Sequence, residues 1–205
     1  MTGIREAVGL QPEPEFDLQL PVGWTRQQAG DQARDAMLAV VKQRFMEQHR
    51  PDLYAETKRL VSQSFEEMER NGVFAFFAPT EPGDETLAIP ASIHASIRRA
   101  APGETLDDLA RTLIHGKGAT PLRGDSRTLR FEEERHVRLG TQTVVAQSVI
   151  YLTPIPRAKR RRALQLVAGF GRTVDTPADH PTIDAMKFLF DTCVSTLAWR
   201  EPARA

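Results

Sequence analysis

Thr143-Val-Val-Ala-Gln-Ser-Val-Ile-Tyr-Leu-Thr-Pro-Ile-Pro156, Arg157-Ala-Lys-Arg-Arg-Arg162 and Ala163-Leu-Gln-Leu-Val-Ala-Gly-Phe-Gly171 run on from one another without a break. The outer two stretches are rich in β-branched and aliphatic residues, as strands are. The charged segment between them is too short for a crossover helix, so the strands pair as an antiparallel hairpin. Just upstream, residues 127–131 and 136–139 read as two further strands, with Glu132-Glu-Glu134 at the turn between them. Four strands in close succession, with no space for helical crossovers, decide the class: an antiparallel sheet.

Working outward, Phe16-Asp-Leu-Gln-Leu20 alternates apolar and polar residues, a short half-buried strand that stops at Pro21-Val-Gly-Trp24. Ala33, Met37, Val40, Val41 and Phe45 then recur at helical spacing. Pro51 starts a second helix, whose stripe is Leu53, Thr57, Leu60, Val61, Phe65 and Met68, and Asn71-Gly72 closes it. Val73-Phe-Ala-Phe-Phe77 is apolar on both faces, as a covered central strand is. Leu87-Ala-Ile89 and Ser92-Ile-His-Ala-Ser-Ile97 read as the next strand, bulged at Pro90. Thr105 caps a helix with stripe Leu106, Leu109, Leu113 and Ile114, ended by Gly116. A last helix opens near Pro181 and buries Ile183, Met186, Phe190, Cys193, Val194 and Leu197. The expectation is a single α+β domain over residues 1–205. It comprises one antiparallel sheet flanked by helices, with an inserted helical hairpin at about 27–71.

The composition narrows the functional classes. Among 205 residues, Lys plus Arg and Asp plus Glu number 27 each, so the formal net charge is zero, and 40% of residues are hydrophobic. That balance excludes wholesale disorder and a polybasic nucleic-acid binder. The single cysteine, Cys193, excludes an intramolecular disulfide and a thiolate zinc site. It falls on an apolar helix stripe and reads as an inert small hydrophobe. The amino-terminal stretch has no secretory-signal pattern, and every apolar run is far short of the roughly 20 residues a membrane span needs. The expectation is a cytoplasmic protein without membrane insertion.

Motifs for chemistry are sparse. His49, His94, His115, His136 and His180 include no i,i+4 pair, so no metal site and no cofactor is expected. Gly124-Asp-Ser-Arg-Thr128 lacks the closing glycine of a nucleophile elbow. Gly116-Lys-Gly118 follows a helix, and Gly169-Phe-Gly171 lies inside a strand, so neither is placed to cradle phosphate. Asp107-Asp108 reads as a solvated helix start. The strongest charge cluster, Arg157 to Arg162, projects from a hairpin, where it protects strand edges or meets an acidic partner. A nucleic-acid contact through it is the weaker alternative.

Several phrases together resemble a known family. They are Phe16-x-Leu-x-Leu-Pro-x-Gly-Trp24, Leu106-Asp-Asp-Leu-Ala110, the strand series through Leu164-Gln-Leu-Val-Ala-Gly-Phe170, and Phe190-Asp-Thr-Cys-Val-Ser-Thr-Leu-Ala-Trp199. The chain is similar to the Mog1/PsbP-like α/β/α sandwich superfamily, in its bacterial LpqN-like and DcrB-like branch, over residues 16–199. The resemblance implies a non-catalytic protein, because the superfamily holds assembly factors, adaptors and chaperones. No lipobox is found, and the 27–71 insertion is larger than the family's usual connection. The reading is therefore a protein-interaction module, an adaptor or chaperone tied to a bacterial secretion system. Its contact residues would be Trp24, Phe45, Tyr54, Arg160, Arg161 and Arg162, and homo-oligomerisation remains open. The alternative is an enzyme or small-ligand binder with a pocket between sheet and helices, where His94, Arg130, Glu132 and Tyr151 are the polar candidates.

Overall fold

The structure, a computed structural model, describes residues 15–47, 49, 51–81, 83–139, 142–158 and 160–200. In chain order these form β1 (Phe16–Asp17), β2 (Trp24–Gln28), α1 (Asp31–Glu47), α2 (Pro51–Arg70), β3 (Val73–Pro79), β4 (Ala91–Arg99) and α3 (Leu106–Lys117). There follow β5 (Thr120–Leu122), β6 (Asp125–Leu139), β7 (Gln142–Pro154), β8 (Arg162–Thr173), α4 (Pro181–Ser195) and β9 (Ala198–Trp199). The α+β class is as the strand succession predicts. The expected single sheet is in fact two. A seven-stranded sheet has the order β2-β3-β4-β8-β7-β6-β5, and β1 pairs with β9 in a separate two-stranded ribbon. Every pairing is antiparallel.

The pleat sends alternate side chains to opposite faces. On one face, Phe77, Ile93, Ala168, Val149 and Tyr151 pack with Ile183, Phe190, Cys193 and Val194 of α4 and with Phe16 of the ribbon. Phe190 stacks on Phe170 at 6.0 Å between ring centres. On the other face two separate clusters form. Leu106, Leu109 and Leu113 of α3 cover Phe131, Ile150 and Leu152. The α1–α2 hairpin covers Phe76 with Phe65 and Met68, and Phe65 meets Phe76 edge to face at 5.8 Å.

Several boundaries differ from the sequence reading. Residues 127–139 form one long strand, because Glu132-Glu-Glu134 continues the ladder opposite Ser148 and its neighbours instead of turning. Residues 87–89 form no strand. Their amides bond locally and to the Pro21–Trp24 turn, with Leu87 N–H donating to Val22 O at 3.1 Å. Trp24 opens β2, an edge strand that the polar run Thr25-Arg-Gln-Gln28 concealed. The turn before it needs glycine. Gly23 sits at φ +78°, and a Cβ there would lie 2.3 Å from Thr86 Oγ1. Gly116 stays inside α3, whereas Gly118, at φ 66°, accepts the left-handed conformation that ends it. At the other end of α3, Thr105 and Asp108 close a capping box.

Candidate functional site

The polar residues cited for a pocket separate into two groups. Arg130 and Glu132 on β6 and Tyr151 on β7 share the face beneath α4, because their register pairs keep them in phase. There they meet two residues that the sequence reading missed, Asp191 and Lys187. Tyr151 Oη donates to Asp191 Oδ1 at 2.6 Å, and Arg130 Nε donates to the same carboxylate at 2.8 Å and 3.0 Å. Arg130 Nη2 donates to Glu132 Oε1 at 2.7 Å, while Lys187 Nζ lies 2.8 Å from Glu132 Oε2. Gln147, 2% exposed, completes the set through a longer bond of 3.4 Å to Glu132.

Two cations and two carboxylates therefore neutralise one another. Burial alone would raise Glu132, but bonds from Lys187 and Arg130 outweigh it and hold the carboxyl below its usual value. Burial, reinforced by Asp191, pushes the Tyr151 phenol far above its ordinary range. Glu132, Arg130 and Tyr151 are thus held in their ordinary charge states by protein partners. The cluster fastens α4 to the sheet. Lys187 and Asp191, one helical turn apart, were the available signal, since i,i+4 residues share a face.

His94 lies on the opposite face, opposite Phe76 on β3 and Val167 on β8. Its Nε2 is 3.0 Å from Ser92 Oγ, and burial lowers its pKa. It joins none of the α4 residues.

The second locus is a cleft of about 380 Å³ between α3 and the adjoining end of the sheet. Leu106, Leu109 and Leu113 form one wall, and Leu129, Leu152 and Ala163 the other. Arg127 and Arg160 stand at its lip. Arg160, just before β8, shapes that lip. Arg160, at φ 54°, accepts the Leu106 amide on its carbonyl at 3.0 Å and donates Nη1 to Asp107 Oδ2 at 2.9 Å. The Arg160 and Asp107 side chains are 76% and 55% exposed, so their pairing is weak and exchangeable. Arg127, bound to Asp125 at 3.1 Å, is 78% exposed. Arg98 and Arg99 pair in register with Ala163 and Arg162, so they lie at the same end of the sheet.

The residues proposed for partner contact scatter. Trp24 is 5% exposed and donates Nε1 to Leu87 O at 2.9 Å, so this ring belongs to the core and offers no contact surface. Phe45 is half-buried on the α1 side that also carries Met37 and Val41, and Tyr54 is half-buried on α2. Arg160 reaches the cleft and Arg161 is exposed beside it. Arg162 is half-buried in β8 opposite Arg99. Among the described residues, no group of three or more His, Cys, Asp or Glu is placed to hold a metal ion. No helix among them is long and apolar enough to cross a membrane.

No protein-family model and no curated protein matches the chain. A crystal structure of a protein from Bacteroides thetaiotaomicron VPI-5482 is similar at a TM-score of 0.41 and 9% identity, over 92% of this chain. The chain spans 46% of that protein's length.

Proposed function

We propose that the chain is a non-catalytic protein-interaction module, and that the α3 cleft receives an apolar side chain of a partner polypeptide flanked by acidic residues. The observation that carries this is the cleft itself, with leucine walls and a lip of two exposed arginines, of which Arg160 holds its carboxylate partner Asp107 only weakly. Recognition sites commonly pair an apolar anchor with a charged rim, where the anchor supplies affinity and the charges supply orientation. The α4 cluster supports the same reading, because its acids and bases are occupied by one another. Helices on both faces of an antiparallel sheet also suit the Mog1/PsbP-like resemblance, and under it the module serves as an adaptor or chaperone.

A second reading has one observation in its favour. About 380 Å³ falls in the size range of small-molecule pockets. A free amphiphile with an anionic head would use the same leucines and arginines.

Selection of random peptides displayed on phage tests the proposal. Peptides selected on the wild-type protein should carry a large apolar residue beside Asp or Glu, and should lose binding at least about tenfold to Leu109→Glu or Arg160→Glu protein. Peptides without acidic flanks, or binding that both variants leave intact, would overturn it.

A further inference from the structure

Helix α1 carries more apolar residues than its packing uses. Ala36-Met-Leu-Ala-Val-Val41 is a run of six, and six consecutive residues visit every side of a helix. Ala33, Met37, Val41 and Phe45 are half-buried and share one side, and Ala33 and Met37 reach the Phe65–Phe76 cluster. The opposite side holds Gln32, Ala36, Ala39, Gln43 and Met46, all exposed. Met46 among them is 40% exposed, and Val40 beside them is 63% exposed. Those five are spaced 4, 3, 4 and 3 residues apart, the seam of a heptad coil, and none is charged. Asp35 and Lys42, both exposed, lie one heptad apart along a single flank of that seam.

We propose that this seam is the interface with a second copy of the same chain, the two α1 helices running antiparallel. In an antiparallel pair each flank faces the same flank of the other helix. Asp35 of one copy then meets Lys42 of the other, and the pairing occurs twice about the two-fold axis. The register that makes these pairs also sets Ala36 against Ala39 and Gln32 against Gln43 across the seam. Alanines let the helices approach closely, and Gln32 can donate to Gln43 Oε1, whose own Nε2 donates to Glu47 at 3.0 Å. Parallel helices would mate only Lys42, with Glu47, and would set Asp35 against Val40, whereas the antiparallel pair mates both Asp35 and Lys42. Asp35 already binds Arg34 at 3.0 Å, yet is 67% exposed and has room for a second cation. This interface lies on a different element from the α3 cleft and stands or falls separately from it.

The test is sedimentation equilibrium on the intact protein. Wild type should dimerise at concentrations up to about 200 μM. Ala39→Glu, at an exposed position and compatible with a helix, should keep the wild-type circular dichroism and melting temperature while associating at least about tenfold more weakly. Asp35→Lys and Lys42→Asp should each weaken self-association about tenfold, and mixing the two variants should restore a heterodimer. A wild type that stays monomeric throughout, a dimer indifferent to Ala39→Glu, or a mixture no tighter than its components would overturn the proposal.

Discussion

The Tyr151 hydroxyl donates to Asp191 Oδ1 across 2.6 Å, joining β7 to α4. Arg130 grips the same carboxylate from β6, so Asp191 is the point at which three elements converge. Asp191→Ala should destabilise the fold by about 2–4 kcal/mol, because it leaves a largely buried guanidinium and a buried phenol without their acceptor. Tyr151→Phe removes one bond only and should cost about 1–1.5 kcal/mol. Urea unfolding measures both, and an Asp191→Ala protein as stable as wild type would mean that the cluster does not fasten α4.

Glu132 makes that cluster acid-sensitive. Its carboxyl is held below the usual value near 4.5 in the folded chain, so its contribution is complete above that value and is lost as pH falls through the depressed one. Glu132→Gln should cost about 1 kcal/mol at pH 7 and flatten the stability profile below about pH 4.5. A profile of unchanged slope in the variant would contradict the pairing with Lys187 and Arg130.

His94 gives a second window with the same sign. Burial lowers its folded pKa beneath the ordinary 6.5, so the unfolded chain binds the proton more readily. Stability should be full above about pH 6.5 and decline as pH falls towards 5. His94→Gln, which keeps a polar group near Ser92, should remove that decline. Melting temperatures read at intervals between pH 5 and 7.5 would show it.

Two glycines should respond in opposite ways to the same change. Gly23→Ala forces a Cβ to 2.3 Å from Thr86 at φ +78° and should cost about 2 kcal/mol or more. Gly169, within β8, has nothing within 4 Å of an added Cβ. There alanine should be neutral or should stabilise by up to about 1 kcal/mol. Equal costs at the two positions would show that the Pro21–Trp24 turn does not pack on Thr86 as described.

The elements that were legible in the sequence are those whose periodicity reports burial. The 143–171 hairpin, the stripes of α2 and α4, and the Thr105 cap could all be read from side-chain pattern. The last helix begins at the expected Pro181, and His180 caps it, with Nδ1 accepting the Thr182 amide at 3.2 Å. Edge strands were hidden because one side of β2 and β5 meets solvent, so their sequences are polar or too short to show a period. The Glu132–Glu134 run misled for the opposite reason. Charge suggested a solvated turn, but Glu132 is neutralised by Arg130 and Lys187 and stays within the ladder. The α3 cleft was invisible because its leucines look like any helix stripe. Only the placement of Arg160 and its neighbours beside them shows that a cleft remains between the stripe and the sheet.

The central claim is that this opening reads an apolar group accompanied by negative charge. Fluorescence anisotropy on one pair of labelled peptides tests it, the first with a leucine or phenylalanine anchor between glutamates and the second with lysines in their place. The wild-type protein should bind the acidic peptide at least about tenfold more tightly, and an Arg127→Glu/Arg160→Glu protein should reverse that preference. Equal affinity for the two peptides, or a preference that survives the double charge reversal, would contradict it.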